Sequence, residues 1–205
     1  MNSCLKDNFK LEQLSSDMEF EPGLVAPLLY GSFDMDDLVE VIDTGDYSME
    51  DEEGLVYYLV YADTIHSVDD IVKFDIGLED DDMVSFFQIS LKTLNELAIE
   101  TRMQIYLEDE NHVVLDSLFD MQGIVLGSST IDSSGKLLEP TENENSSTFD
   151  DEKIGILDDI AYMRVKATMR PSKRDEPFVK IYASYILDYE LSMSANAKIS
   201  TGDLN

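Results

Sequence analysis

The chain has 205 residues, 43% of them apolar, with one cysteine, no tryptophan and a formal net charge of −30 from 44 Asp/Glu against 14 Lys/Arg. That length and apolar content suit one generous domain or two small ones with a real core. No run of 18 apolar residues occurs, which excludes a membrane-spanning helix, and so acidic a surface repels nucleic acid while attracting cations and basic proteins.

The charge is uneven: residues 1–100 hold 25 Asp/Glu against 4 Lys/Arg, and residues 101–205 hold 19 against 10. Residues 1–19 are polar with scattered Leu and read as a tether ended by Glu21-Pro22-Gly23. The opening MNSCLKDNFK lacks the apolar core of a complete signal peptide. Residues 25–30 are apolar and contain Pro27, which suits an edge strand. Asp34 is placed to cap a short helix with Leu38, Val41 and Ile42 on one face. Residues 55–61 form a strand apolar on both sides, expected to be covered on both faces. Ser67-Val68-Asp69-Asp70 is expected to open one helical turn, and residues 74–82 form an acidic connector.

Alternation returns at Leu97, Ile99, Thr101, Met103, Ile105 and Leu107, with Glu100, Arg102, Gln104 and Glu108 on the other side. A hairpin turn at residues 108–111 leads to a strand at 113–118. Further short strands are expected at 124–126 and 130–131, with Ser133-Ser134-Gly135 as a turn. Residues 139–152 read as the most loop-like part of the chain. Ala161, Met163, Val165, Ala167 and Met169 alternate, and every odd residue from Val179 to Ile199 is apolar. At about 3.3 Å per residue this last run would span roughly 70 Å, so it must bend, break or belong to an elongated sheet. Residues 158–169 and 178–199 read as two arms of one long hairpin, with Arg170, Lys173 and Arg174 at its tip as a docking spot for an acidic partner or as neutralisers of the chain's own acids. The expected fold is mainly β, a β-sandwich or elongated twisted antiparallel sheet, with a few short helices mostly in the first third. Residues 1–19 are the tether, 20–82 an acidic β/short-helix part and 83–205 an antiparallel β part, with 20–205 one unit.

Calcium takes six to eight oxygen ligands, often from alternating carboxylates. Asp34, Asp36 and Asp37 supply the nearest approach to that spacing, although no Gly or bidentate Glu follows as in an EF-hand. The acidic runs at 50–53, 79–82 and 150–152 read as solvated loops. His66 and His112 have no ligand at metal spacing. No phosphate loop, G-x-S-x-G elbow or HExxH motif is present, so no enzyme activity is expected and no cofactor is implied beyond the calcium option. Tyr57, Tyr58, Tyr61, Tyr182, Tyr185 and Tyr189 are the rings available to a ligand-binding sheet, although core packing is the simpler use.

The stretches Phe20-Glu21-Pro22-Gly23-Leu24-Val25-Ala26-Pro27-Leu28, Asp37-Leu38-Val39, Asp51-Glu52-Glu53-Gly54-Leu55-Val56 and Tyr61-Ala62-Asp63-Thr64-Ile65 resemble cell-envelope lipoproteins of the Bacteroidota, a group without an assigned function. Val179-Lys180-Ile181-Tyr182 and Tyr185…Tyr189-Glu190-Leu191 are similar to the same group. The resemblance implies that Cys4 bears the lipid, with Ser3 fitting and Asn2 departing from the usual residues before it. It implies that Lys6-Asp7 partly matches a surface-export signal, and that Asp63-Thr64-Ile65 and Asp116-Ser117-Leu118 match an O-glycosylation pattern. The expected function is therefore a non-enzymatic protein anchored to the outer membrane, periplasmic or surface-exposed, that binds a partner protein as an accessory subunit of an envelope complex. The alternatives are a module for a glycan or apolar ligand, or a calcium-stabilised adhesin-like module.

Overall fold

Apolar alternation builds strands, and the computed structural model, which describes residues 19–20, 23–35, 48–61, 66–74, 84–171, 178–197 and 199–200, is dominated by them. In chain order they are β1 (Glu19–Phe20), β2 (Gly23–Phe33), β3 (Ser48–Glu50), β4 (Val56–Tyr61), β5 (His66–Lys73), β6 (Val84–Asn95), β7 (Ile99–Glu108) and β8 (Val114–Ser117). There follow β9 (Ile124–Leu126), β10 (Thr130–Ile131), β11 (Leu137–Glu139), β12 (Thr141–Phe149), β13 (Tyr162–Pro171), β14 (Phe178–Tyr182), β15 (Leu187–Ala197) and β16 (Ile199–Ser200). A four-stranded sheet runs β12-β6-β15-β2, and a five-stranded sheet runs β5-β13-β7-β8 with β9 also on β7. A three-stranded sheet β14-β4-β3 and the ribbons β1-β16 and β10-β11 complete the set. All pairings are antiparallel, and the fold is mainly β and sandwich-like, as the alternation implied.

The inner faces interlock row by row. Tyr189 lies opposite Thr93, Leu191 opposite Leu91, Met193 opposite Ile89 and Ala195 opposite Phe87. In the other sheet Met163 lies opposite Leu107, Val165 opposite Ile105 and Ala167 opposite Met103. Apart from Thr93, these residues join one buried apolar cluster, and each large aliphatic side chain within it contributes about 1.5–3 kcal/mol. Asn95 controls the corner from β6 to β7: its Nδ2 donates to the carbonyls of Ile99 (3.1 Å) and Gly127 (2.8 Å), and its Oδ1 accepts from Leu97 N–H (3.0 Å).

Tyr189 ties the two large sheets together. Its ring stacks on Phe33 at 5.4 Å, and its hydroxyl donates to Asp70 Oδ2 on β5 at 2.7 Å. The ring lies across Gly31, its cross-strand partner, where any Cβ would overlap the phenol. Pro27 sits on β2 at the edge of the sheet, beside a register shift between the Leu191 and Ser192 pairings, where a missing N–H costs no central ladder bond.

Several expectations are corrected. The long 179–199 run breaks at residues 183–186, so β14 and β15 belong to different sheets. The proposed last hairpin does not form: β13 pairs with β5 and β7, whereas β15 pairs with β6 and β2. Residues 67–70 lie in β5 rather than a helical turn, because Val68, Asp70, Val72 and Phe74 share the inward face. The expected loop at 139–152 contains the nine-residue edge strand β12, paired with β6 along its whole length. Among the described residues α1 (Asp151–Ile154) and a 3-10 turn (Leu157–Asp159) lie in the last third, and Met35, directly after the expected cap Asp34, is helical. Residues 38–42, the expected early helix, lie outside the described residues. Strand β4 is only partly covered, with Val56 38% exposed and Val60 buried. β2 and β5 form sheet edges against β15 and β13, so residues of 20–82 complete sheets whose central strands come from 83–205.

Replacing Tyr189 by Phe should cost about 1.5–3 kcal/mol, the range for a hydrogen bond to a charged group. Gly31→Ala should destabilise as well, by forcing the Tyr189 ring off Phe33. Urea unfolding at neutral pH checks both, with a lowered midpoint and an unchanged slope expected.

Candidate functional site

Acidic residues are the obvious functional candidates in this chain, and much of their chemistry is spent on turns. Asp51 Oδ1 accepts from the N–H groups of Glu53 and Leu55, each at 2.9 Å. Asp109 Oδ1 accepts from Asn111 and Val113 N–H, each at 2.8 Å, and Asp132 Oδ1 accepts from Ser134 (2.8 Å) and Lys136 (2.9 Å) N–H. In each loop the residue three after the Asp has positive φ: Gly54 at 79°, His112 at 60° and Gly135 at 88°. The acidic run at 50–53 is thus built around a turn-closing carboxylate, whose Oδ2 also accepts from Tyr182 Oη at 2.9 Å. These bonds hold all three carboxyls below the ordinary value of 3.8, led by Leu55 N–H at Asp51, Val113 N–H at Asp109 and the Ser134 hydroxyl at Asp132.

Glu108 is different. Alternation placed it outward, yet it is 1% exposed. Its Oε1 accepts from Arg164 Nε at 2.6 Å and its Oε2 lies 3.2 Å from His112 Nδ1. Arg164 lies over the Tyr106 ring at 4.9 Å, and His112 stacks on Tyr162 at 4.4 Å. With both oxygens occupied, this cluster fastens the β7–β8 hairpin to β13.

The concave feature lies elsewhere, on the outer face of the four-stranded sheet, with a volume of about 510 Å³. Inward placement of Leu91, Thr93, Tyr189 and Leu191 turns their strand neighbours outward. One outer row reads Glu144, Lys92, Glu190 and Tyr30; the next reads Glu142, Leu94, Asp188 and Ser32. Tyr30 is 67% exposed. Its hydroxyl is hydrogen-bonded to Asp188, and chiefly for that reason its pKa rises above 10.0. Asp188 Oδ1 is buried without a hydrogen-bond partner. None of the four carboxylates in these rows takes part in a salt bridge among the described residues. The arrangement is a concave surface with more carboxylates than amines and one exposed aromatic ring.

The sequence-derived candidates are scattered. Cys4, Asp36, Asp37, Lys173 and Arg174 lie outside the described residues, as do the side chain of His66 and residues 63–65. Asp34 follows β2 and is half-buried. Among the described residues no three Asp, Glu, His or Cys side chains are spaced to hold a metal ion. Arg170 is exposed on β13 opposite Glu100, not at a hairpin tip. Ser117 Oγ, in the second expected glycosylation triplet, donates to Phe119 carbonyl at 2.9 Å. Of the tyrosines, Tyr189 and Tyr182 are buried, while Tyr185 Oη accepts from Leu137 N–H at 2.6 Å. Tyr30 was missed as a site residue. Its signal is positional: it is an aromatic residue in the outward phase of an edge strand, a phase it shares with the exposed Val25.

No family model matches the chain, and no curated protein matches it. Among solved structures it is similar to a protein of Parabacteroides distasonis assigned as secreted, at 11% identity and TM-score 0.45, covering 66% of this chain and 39% of that one. It is also similar to the K1 cleaved adhesin domain of Lys-gingipain from Porphyromonas gingivalis, at 10% identity and TM-score 0.33, covering 84% of this chain and 97% of that one. The K3 adhesin domain of the same protein matches at 7% identity and TM-score 0.31, covering 82% and 94%. These proteins come from Bacteroidota. No helix among the described residues is long and apolar enough to cross a membrane.

The three turn carboxyls make stability depend on pH with a definite sign. Their folded pKa values lie below the unfolded value, so their contribution is complete above the ordinary carboxyl range and is lost as pH falls through the folded values. Asn at 51, 109 and 132 keeps the accepting oxygen but does not titrate. Urea midpoints measured from neutral pH downward should fall more steeply below about pH 4 for the native chain than for the triple Asn variant.

Proposed function

We propose that this chain is a non-catalytic, lipid-anchored module of the bacterial cell envelope that binds a partner protein through the outer face of its four-stranded sheet. The depression bounded by Tyr30, Lys92, Asp188 and Glu190 carries the reading. It is open and concave, and it sets four carboxylates and one lysine beside an exposed ring, which suits recognition better than chemistry that needs water excluded. Cys4 would carry the lipid, and residues 5–19, if extended, would give roughly 50 Å of reach. Two acyl chains hold a protein firmly at a membrane, whereas one holds it marginally. The Bacteroidota envelope resemblance of residues 20–28 and 51–65 supports that location. A second reading, a glycan stacked on Tyr30, is favoured by the 67% exposure of that ring.

Metabolic labelling with a fatty-acid analogue should mark the native protein and not Cys4→Ala; equal labelling of the two overturns the anchor. A photo-crosslinking residue in place of Tyr30 should give a protein adduct in the native envelope, whereas one in place of Val125, on the five-stranded sheet, should not. A glycan adduct at position 30 would favour the second reading.

A further inference from the structure

An open strand edge is a template for pairing with another chain, and folds blunt such edges with proline, bulges, lysine, inward charges or shortness. The edges of the two large sheets differ in this respect. β2 carries Pro27 and a register shift. β5 turns Asp70 inward to the hydroxyl of Tyr189. β8 and β9 are four and three residues long, and the pairing of β8 is shifted. β12 has none of these devices. Its nine residues pair with β6 from Thr141 to Phe149 without a shift, and among the described residues no strand pairs with its other side. Every second N–H and C=O along it points away from the sheet. Its charge lies in one half only: in the exposed phase Glu142 and Glu144 precede Ser146 and Thr148.

We propose that β12 pairs with β12 of a second copy of this chain, antiparallel about a two-fold axis at Asn145, joining two four-stranded sheets into one. The inference goes beyond the proposed function and does not rest on it. Centred there, the pairing aligns the whole strand and sets Glu144 opposite Ser146 of the second copy and Glu142 opposite Thr148. The neighbouring registers that keep each face of the sheet continuous lack this match. A centre at Glu144 puts that carboxylate opposite itself, and a centre at Ser146 puts Glu142 opposite Asp150. Like charges directly opposite one another destabilise a strand pair. The strand is therefore complementary to itself, its uncharged half receiving its charged half, which is the reason to assign a second copy as the occupant. Such a contact is closed, because each copy uses its one unguarded edge and the joined sheet ends in β2 on both sides. The net charge of −30 opposes the approach of two copies. Salt screens that repulsion beyond about 8 Å at physiological ionic strength, so the pairing tightens as salt rises.

Sedimentation equilibrium of the full chain, up to submillimolar concentration, tests the proposal at physiological ionic strength and at about 1 M salt, where the screening length falls to about 3 Å. The expected result is a reversible monomer–dimer equilibrium, tighter at the higher salt. Ser146→Glu places a carboxylate opposite Glu144 of the other copy, twice across the axis, and should weaken the dimer about tenfold at physiological ionic strength. Ser146→Lys places an amine there and should tighten it by roughly threefold or more. Gln122→Glu adds the same charge at an exposed turn before β9 and should change the constant by less than about twofold, as expected for a screened charge. Melting curves of each variant establish that it is folded. A monomer at every concentration and salt overturns the proposal, and is the result if another segment of the chain covers this edge. Equal weakening by Ser146→Glu and Gln122→Glu overturns it as well, since the dimer then responds to net charge alone. A dimer that Ser146→Lys does not tighten joins through another surface or register, and the proposal falls.

Discussion

Tyr189 decides more than its own burial. Its ring stacks on Phe33, fills the space a side chain at Gly31 would need, and sends its hydroxyl across to Asp70 on the other sheet. The tie fixes the register of β15 against both neighbours, because a one-residue slip would turn every inward side chain of the strand to solvent. By the same alternation it fixes what points outward. Asp188 and Glu190 flank Tyr189 and must leave the sheet on the opposite side, where they line the depression. The candidate site is thus held in place from the core, through one strand whose inner face has no freedom to move.

Elsewhere the chain uses charge to hold structure. Glu108 is buried with Arg164 and His112 on its two oxygens, so deleting either partner would strand part of a buried carboxylate. Asp51, Asp109 and Asp132 each close a loop of the same form, with a left-handed residue three positions on. Lys180 lies over Tyr57 at 3.8 Å and over Tyr182 at 4.7 Å, and Tyr182 bonds Asp51. That set fastens the three-stranded sheet to its acidic turn. In all of these the ionised group has its partners nearby, which is the ordinary condition for charge within a fold.

Where sequence and structure agree, a local rule was enough. Alternation located β7, β13 and β15, Pro27 marked an edge strand, and the turn at 108–111 came from its polar residues. Where they differ, the deciding information was not local. The break at 183–186 removes four residues, an even number, so odd positions stay apolar on both sides and the alternation runs on without a visible seam. Tyr185 leaves the strand there because its hydroxyl is taken by Leu137 N–H and Gly135 carbonyl. Strand β12 hid because an edge strand of Thr, Glu, Asn and Ser has little apolar phase to read; its pairing to β6 supplies what its composition lacks. Glu108 hid because its partner Arg164 is 56 residues away. The depression was invisible for a similar reason: its residues come from β2, β6, β12 and β15, and only the register brings them together.

The two outer faces of the sandwich differ in how their charge is arranged. On the five-stranded sheet Lys73, Arg102, Arg164, Lys166 and Arg170 face outward among Asp69, Glu100 and Glu108, with Lys166 opposite Asp69 and Arg170 opposite Glu100. On the four-stranded sheet the balance reverses, with Lys92 alone among Glu142, Glu144, Asp188 and Glu190. Solubility requires charge but not segregation, and a mixed surface serves it as well at less self-repulsion. Neutralisation accounts for Arg164, Lys166 and Arg170 of the five-stranded face, which sit beside Glu108, Asp69 and Glu100, as it does for Lys92 between Glu144 and Glu190. It does not account for the excess on the four-stranded face, where moving one arginine from β13 to β12 would relieve the imbalance without touching the core. The four-stranded face thus carries an excess of carboxylate over amine, and that excess is what the proposed binding role draws on.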